Sequence, residues 1–568
     1  MRRKNRTTLL SVFVSVVLFA TVSLYVNRDA VSGPTIRPPT ILRNLSNTVQ
    51  HLNLAIREEL HIRSLQVSTI RDLQPPDSIL LPDWEVLVVT PEIPLSSGPG
   101  NRYYCLFQNN ATSTANFAGF LPFSNLTTFK CVLPNRVRRL RPFVRPILAK
   151  SPGNWPGNES EMPGMLRWDF LAYESLSTEN DVILFVKGVN NRQGVNPSPA
   201  KFRCVFGDSV TNGVKTDVFS SAQEVFRCLH PNKTALLRLF PGGEERIRVS
   251  LEIGEEQRVV PSVAYYTPDK ISVAKREAKA LLCACTMGYN VAKFLKEWVV
   301  YHSKIGVEKF IVYDNGSDDN LERVVEELLE EYINVETLSW PWPKTQEAGF
   351  SHCAIHARDS CEWMMYIDVD EFVFSPSWLN SSHPSSHMLR SFLPIMTPHP
   401  SSSSSSSIGQ ISIRCFEFGP SNQGSHPMEG VTQGYTCRRR VEQRHKSLVL
   451  LDAIDTSLLN VIHHFELKEG YRVERLSKEE GVVNHYKYQA WSEFKAKFRR
   501  RVSAYVADWR QEVNPNSKDR TPGLGYVPIE PKGWAMKFCE VNDSRLKVAT
   551  QKWFGLDLPS GYKMAWQR

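Results

Sequence analysis

One stretch, Trp363 to Phe372, restricts the fold of this chain more than any other. The apolar run Trp363-Met364-Met365-Tyr366-Ile367 stops at Asp368-Val369-Asp370-Glu371. Carboxylates are almost never buried unless paired or bound to a metal, so a core strand gains nothing by ending this way. At the carboxyl end of a parallel strand the same acids face the crevice where open α/β sheets take their ligands. Two acids there can hold a hard divalent cation through oxygen, and the cation can grip a diphosphate.

The residues upstream supply the sheet that such a strand needs. Leu281 to Thr286 reads as a buried strand, and Val291 to Lys304 as an amphipathic helix with Phe294, Leu295, Trp298, Val299 and His302 near one face. A strand at 309–313, a Glu-rich helix at 321–332 and a strand at 334–338 follow. A helix from Gln346 to Cys361 leads to the acidic strand. Strands alternating with helices predict a parallel sheet with crossover helices, an α/β fold. The first strand ends at Gly288-Tyr289-Asn290. The second ends at Asp314-Asn315-Gly316-Ser317-Asp318-Asp319. Asp314 and Asn315 suit a ribose or a base, and the same acids would also cap the next helix and complement its dipole. Asn315-Gly316-Ser317 is a glycosylation acceptor too, but in a tight turn beside a pocket it is expected to stay unmodified.

At 568 residues the chain calls for two or more domains, and 42% hydrophobic with 10% aromatic residues are globular values. Arg2, Arg3, Lys4 and Arg6 precede an uncharged apolar run, Leu9 to Val26. A membrane-spanning helix needs about 17 to 25 residues. The basic flank favours a cytosolic amino terminus. The reading is a cytosolic tail (1–8), an uncleaved signal anchor (9–26) and a Pro-rich stem (27–80), with the body in the secretory lumen. Acceptors at Asn44, Asn110, Asn125, Asn158, Asn232, Asn380 and Asn542 agree with that address. Eleven cysteines leave at least one unpaired; Cys105 with Cys131 and Cys204 with Cys228 are the plausible bridges, while Cys353 and Cys361 lie too far apart on a helix to join each other. Residues 81–270 read as a β-rich module, a sandwich, with no long helical periodicity. Its aromatics Tyr103, Tyr104 and Trp155 could stack on sugars. Ser401 to Ser407 reads as a low-complexity loop and 541–568 as a tail. The net charge of +9 is moderate, and clusters such as Arg136-Val137-Arg138-Arg139 read as solvated faces. A lumenal body excludes nucleic acid as a partner.

Several motifs in order resemble glycosyltransferase family 92, plant members in particular. They are Cys283-Ala284-Cys285-Thr286-Met287, Asn290 to Trp298, Tyr313 to Asp319, Trp340-Pro341-Trp342-Pro343-Lys344-Thr345-Gln346 to Cys353, and Ile367-Asp368-Val369-Asp370-Glu371-Phe372. The resemblance implies a GT-A nucleotide-sugar-binding domain at 278–540 in a type II Golgi membrane protein. It implies an inverting, metal-dependent transferase that moves galactose from UDP-galactose to form β-linked galactosides on a glycan acceptor, a cell-wall polysaccharide or a glycoprotein glycan. On that pattern Asp368 and Asp370 match the metal-binding Asp-x-Asp. Asn290, Asp314, Asn315, Lys344, Gln346, Asp368 and Lys446 form the nucleotide-sugar set. His485 is the matching histidine ligand, with His463 and His464 as rivals. An imidazole ligand favours Mn²⁺ over the alternative, Mg²⁺. An inverting reaction needs a base for the acceptor hydroxyl, and Glu429 and Glu417 are the candidates. Glu371 is expected to support the metal or pack locally. The competing class is a membrane-tethered carbohydrate-binding protein with an inactive transferase domain. Dimers are common among Golgi transferases, so a homodimer is the assembly to look for.

Overall fold

The computed structural model describes residues 76–567 apart from short gaps, the longer ones at 92–101, 156–161, 191–195, 268–277, 395–405 and 499–522. The expected cytosolic tail, signal anchor, nearly all of the stem and most of the serine run lie outside the described residues. No described helix is long and apolar enough to cross a membrane.

The β-rich half is one topology built twice. The first sheet uses β1 (Asp77–Leu80), β2 (Glu85–Thr90), β3 (Tyr103–Phe107), β4 (Ala111–Phe120), β5 (Thr127–Val132) and β6 (Ile147–Ala149), with short β7 (Leu166–Arg167) on its edge. The second uses β8 (Leu171–Ser177), β9 (Val182–Lys187), β10 (Phe202–Phe206), β11 (Val214–Ala222), β12 (Val225–Cys228) and β13 (Ile247–Ile253), with β14 (Arg258–Val259) and β15 (Tyr265–Tyr266) beside β13. The spatial orders are β6-β3-β4-β5-β2-β1 and β13-β10-β11-β12-β9-β8, strand for strand the same. Each copy carries one disulfide at the same place, Cys105–Cys131 and Cys204–Cys228, the two bridges expected from the sequence. The segments Phe129-Lys130-Cys131-Val132-Leu133-Pro134-Asn135 and Phe226-Arg227-Cys228-Leu229-His230-Pro231-Asn232 are the matching stretch in sequence.

Strand periodicity divides the side chains of these sheets between private cores and a shared one. Val86 and Val88 point into a core private to the first copy, and Val182, Leu184 and Val186 into one private to the second. The alternate residues, Leu87 and Val89 on β2 and Ile183 and Phe185 on β9, enter a third apolar cluster. Successive side chains on a strand face opposite ways, so β2 and β9 are buried on both faces. That third cluster is shared with the carboxyl-terminal half through Cys283, Cys285, Ile311, Tyr313, Trp340, Trp342, Phe350 and Met364.

The carboxyl-terminal half is the expected α/β domain. Its sheet contains β16 (Ala280–Gly288), β17 (Lys309–Asp314), β18 (Val335–Ser339), β19 (Cys361–Tyr366), β20 (Glu371–Phe374), β21 (Ser407–Glu417), β23 (His445–Leu450), β24 (Tyr471–Arg475) and β25 (Val482–His485), while β22 (Cys437–Arg438) pairs separately with 541–542. The order is β18-β17-β16-β19-β23-β21-β25-β20, with β24 also on β21. The first four strands are parallel, and β23 starts the mixed part by running antiparallel to β19. Helices Ala292–Ile305, Leu321–Glu330 and Gln346–His356 make the crossovers. The last one stops short of the Cys361 expected from its pattern, because Cys361 already pairs with Ala280 as the first residue of β19. Cys361 bonds Cys283 and Cys353 bonds Cys285, which leaves Cys415 as the free, buried thiol. A further bridge joins Cys437 to Cys539.

Two boundaries move. Residues 77–80, expected in the stem, are already β1. The supposed carboxyl-terminal tail carries the helix Arg545–Phe554, and Leu546, Ala549, Phe554, Met564 and Trp566 belong to the main core of the α/β domain.

Candidate functional site

The chain leaves β19 at Tyr366 and re-enters the sheet at Glu371 as β20, and the acids sit in the turn between. Val369 is 4% exposed and locked in the core, which turns its neighbours Asp368 and Asp370 the other way. Asp368 keeps 30% of its side chain exposed and Asp370 keeps 14%. The pair therefore opens on the carboxyl edge of the parallel strands.

Glu371 organises the site from behind, with its side chain fully buried. Its Oε2 accepts from the backbone N–H of Asp368 at 2.9 Å. Its Oε1 lies 2.6 Å from Nζ of Lys446 on β23 and 3.2 Å from Nδ1 of His485 on β25. Burial would lower the Lys446 ammonium, but Glu371 and Asp368 more than offset it and raise it. Burial, with Asp368 and Asp370 adding to it, pushes the Glu371 carboxyl up against the pull of Lys446. Asp368 goes the other way. Burial would raise it, yet Lys446, His463 and the Gln346 amide hold it below the usual carboxylate range. Gln346 Nε2 donates to Asp368 Oδ1 at 2.8 Å.

The rival histidines separate by what their ring nitrogens face. Lys446 has only protons to offer, so at 2.7 Å the Nε2 of His463 must be its acceptor. Burial and Lys446 push that imidazole far below its ordinary value, and it stays neutral. Its lone pair is spent on Lys446, although Asp368 is only 3.6 Å away. His464 turns to its neighbour His445, their rings 3.8 Å apart. His485 differs. With Nδ1 toward the Glu371 carboxyl, its Nε2 lone pair lies 3.6 Å from Asp370 Oδ1. A carboxylate that fixes the far nitrogen of a histidine is the usual support of a metal ligand. Two lone-pair donors facing each other suit a divalent cation between them, so the residues fit the ion.

The nucleotide set is brought to one edge, but mainly as a braced frame. Asn315 Nδ2 donates to the carbonyls of Trp340 at 2.6 Å and Trp342 at 3.1 Å. Asp314 Oδ1 accepts from Ser317 N, as a cap does. Asn290, at φ 52°, takes Ser317 Oγ on its N–H and exchanges bonds with Asp318. Lys344, at φ 62°, turns the loop toward Gln346, and burial with the nearby Lys187 lowers its ammonium. Beside Asn290 a cleft of about 700 Å³ is lined by Tyr289, Lys293, Asp319 and Glu493 among others.

The two candidate bases part company. Glu417 is 5% exposed, with one oxygen on Lys487 and the other 3.3 Å from Arg439. Both oxygens are committed to cations, a structural ion pair rather than the base expected from the sequence. Glu429 is exposed, and its carbonyl accepts from Trp566 Nε1 at 2.9 Å. No ion pair of its carboxylate occurs among the described residues. Sequence reasoning left Glu371 outside the site set; the signal was its place directly after the Asp-x-Asp in an otherwise apolar strand.

The family model for glycosyltransferase family 92 matches residues 278–520. A glycosyltransferase family 92 protein from Ricinus communis is 40% identical over 508 residues, 87% of this chain and 85% of that protein. One from Oryza sativa subsp. japonica is 42% identical over 404 residues, 68% and 67%. Among solved structures, a mannosyltransferase from Pyrobaculum calidifontis in complex with GDP-Man and Mn²⁺ overlaps 49% of this chain and 75% of its own. The identity is 11% and the TM-score 0.25, too slight to bear on the site.

Proposed function

Because this chain belongs to glycosyltransferase family 92, we propose that it transfers a hexose, galactose from UDP-galactose, onto a glycan acceptor with inversion to a β linkage. The observation that carries the reading is the single polar cluster Asp368, Asp370, Glu371, Lys446 and His485 at the carboxyl edge of the parallel strands. Asp370 and His485 would hold the ion, Mn²⁺ rather than Mg²⁺ given the imidazole, with Asp368 beside them. When bound, the cation supplies a Lewis acid that stabilises negative charge on the departing diphosphate.

The chain's own residues do the rest. Glu371 holds His485 and Lys446 in register, and Gln346 fixes the rotamer of Asp368. Lys446 keeps a permanent positive charge behind the acids. It limits the repulsion between Asp368 and Asp370 before any donor arrives. Trp340 and Trp342, both fully buried, back the loop that carries Lys344 and Gln346. The acceptor proton falls to Glu429, the candidate whose carboxylate is not tied to a cation. The work would take place in the Golgi lumen, with the chain anchored through residues 9–26.

The test is transfer of labelled galactose from UDP-galactose by the full chain in detergent with Mn²⁺, against an array of glycan acceptors. Asp370→Ala and His485→Ala are expected to lose at least a hundredfold in metal-dependent transfer, and Glu429→Gln to lose kcat at unchanged donor KM. Full activity in the first two would overturn the metal assignment.

A further inference from the structure

Four bonds run from the two β copies into the loops that carry the candidate donor site. In the first copy Lys130 Nζ donates to the Gly316 carbonyl at 3.3 Å, inside the Asp314–Asp319 turn. In the second copy Arg227 holds the equivalent position, directly before the second cysteine of its disulfide. It donates to the Thr456 carbonyl at 2.9 Å. Gln223, at φ 52° in the β11–β12 turn, donates to the Asn460 carbonyl at 2.7 Å, three residues before His463. Lys187, at the end of β9, donates to the Lys344 carbonyl at 3.3 Å while Glu224 holds its ammonium in place.

The aromatic contacts lie along the same path. Trp168 stacks on Trp342 with centroids 5.7 Å apart and planes 5° from parallel. Tyr173 touches both Trp340 and Trp342, and Phe185 meets Trp340 edge-on at 5.9 Å. Trp342 Nε1 donates to the buried Glu174 carboxyl group at 3.3 Å. The loop so held continues through Thr345, whose hydroxyl donates to the Trp342 carbonyl at 2.7 Å, to Gln346 and so to Asp368. Loops otherwise move independently of the sheet that bears them, and a site tolerates little displacement of its groups. Gly316 shows how closely one clamp fits. Its φ is +73°, and a Cβ there would come 2.7 Å from the Lys130 ammonium.

We propose that the duplicated β-module is a working part of the donor site. Lys130 of the first copy and Lys187 of the second act as positioning residues, each clamping one loop that the nucleotide sugar meets. The clamping stands on the geometry alone; its consequence for the donor rests on the transferase reading above.

Two measurements on the full chain keep these apart. Hydrogen exchange is followed by mass spectrometry in peptides covering 314–319 and 340–346, and Mn²⁺-dependent UDP binding by calorimetry. Lys130→Met is expected to speed exchange at least tenfold in 314–319 and leave 340–346 unchanged; Lys187→Met does the reverse. Each is expected to weaken UDP at least fivefold, and Lys130→Arg and Lys187→Arg to restore both readouts to within twofold. Gln223→Ala, which leaves both lysines in place, is expected to loosen only 456–463. Unchanged exchange in the facing loop overturns the clamp. Faster exchange with wild-type UDP affinity overturns the positioning role. If the wild-type chain itself gives no UDP heat with Mn²⁺, the donor assignment falls, and the exchange pattern still decides the clamp.

Discussion

Glu371→Gln is the sharpest single test of the site, because a glutamine fits the space and still fails chemically. The two oxygens of Glu371 meet only donors: Asp368 N–H on Oε2, and Lys446 and His485 on Oε1. A glutamine has one acceptor oxygen and one NH₂. Whichever way the amide is turned, its NH₂ faces an N–H or an ammonium. If the oxygen stays on Asp368, the contacts to Lys446 and His485 are both lost. The cost is about 3–5 kcal/mol, the range seen when one partner of a buried ion pair is removed. His485 also loses the group that fixes its tautomer. Such a loss lowers metal affinity by about 10–100-fold, or about 1.4–2.7 kcal/mol. The assays are a Mn²⁺ titration by calorimetry and a urea unfolding curve on the same protein. The chain is expected to remain folded with a lower midpoint and a weaker Mn²⁺ isotherm. Wild-type affinity together with a wild-type midpoint would refute the role of Glu371 as organiser.

Burial pushes the Glu174 carboxyl up from 4.5 to about 8. The folded state then holds a proton that the unfolded state releases, so this contribution is whole below pH about 4.5 and lost as pH rises through about 8. The slope is at most about 1.4 kcal/mol per pH unit, about 5 kcal/mol over the window, and Glu174→Gln should flatten it in denaturant midpoints taken from pH 5 to 8. Glycopeptide mass spectrometry of the chain from a secretory host should find Asn315 bare, since its Nδ2 is engaged by two carbonyls, while the exposed Asn110, Asn125 and Asn232 carry glycan. Phe554→Ala should cost about 3–5 kcal/mol in the same unfolding assay, the usual penalty for emptying a buried phenylalanine site; a loss below 1 kcal/mol would return the end of the chain to the status of a tail.

What could be read from the sequence was local. The strands at 280–288 and 309–314 and the acids after β19 declare themselves through short periodicity broken by polar residues. The bridges of the β-rich half are the pairs expected if the body is lumenal, and both are formed. The repeat behind them was also written in the chain, as two cysteine pairs each ending in Cys-x-x-Pro-Asn, but so few identities vanish among strand-like residues of every kind. The remaining departures turn on distant partners. Glu417 becomes an ion pair only because Arg439 and Lys487 arrive from elsewhere. The choice between His463 and His485 depends on where Lys446 points. The helix after Gln346 ends where β16 claims Cys361.

The cluster shared by β2, β9 and the face carrying Trp340 and Trp342 decides how much of this chain is one cooperative unit. A fully buried tryptophan withdraws about 150–250 Å² from water, roughly 4–6 kcal/mol at about 25 cal/mol per Å². Cut at residue 278, the carboxyl-terminal half would bare the faces of both rings that Trp168, Tyr173 and Phe185 cover, an adhesive apolar patch. The family match begins at 278, after the strands whose side chains meet those rings. The three large sheets should melt in a single calorimetric transition, and two resolved transitions would refute the coupling.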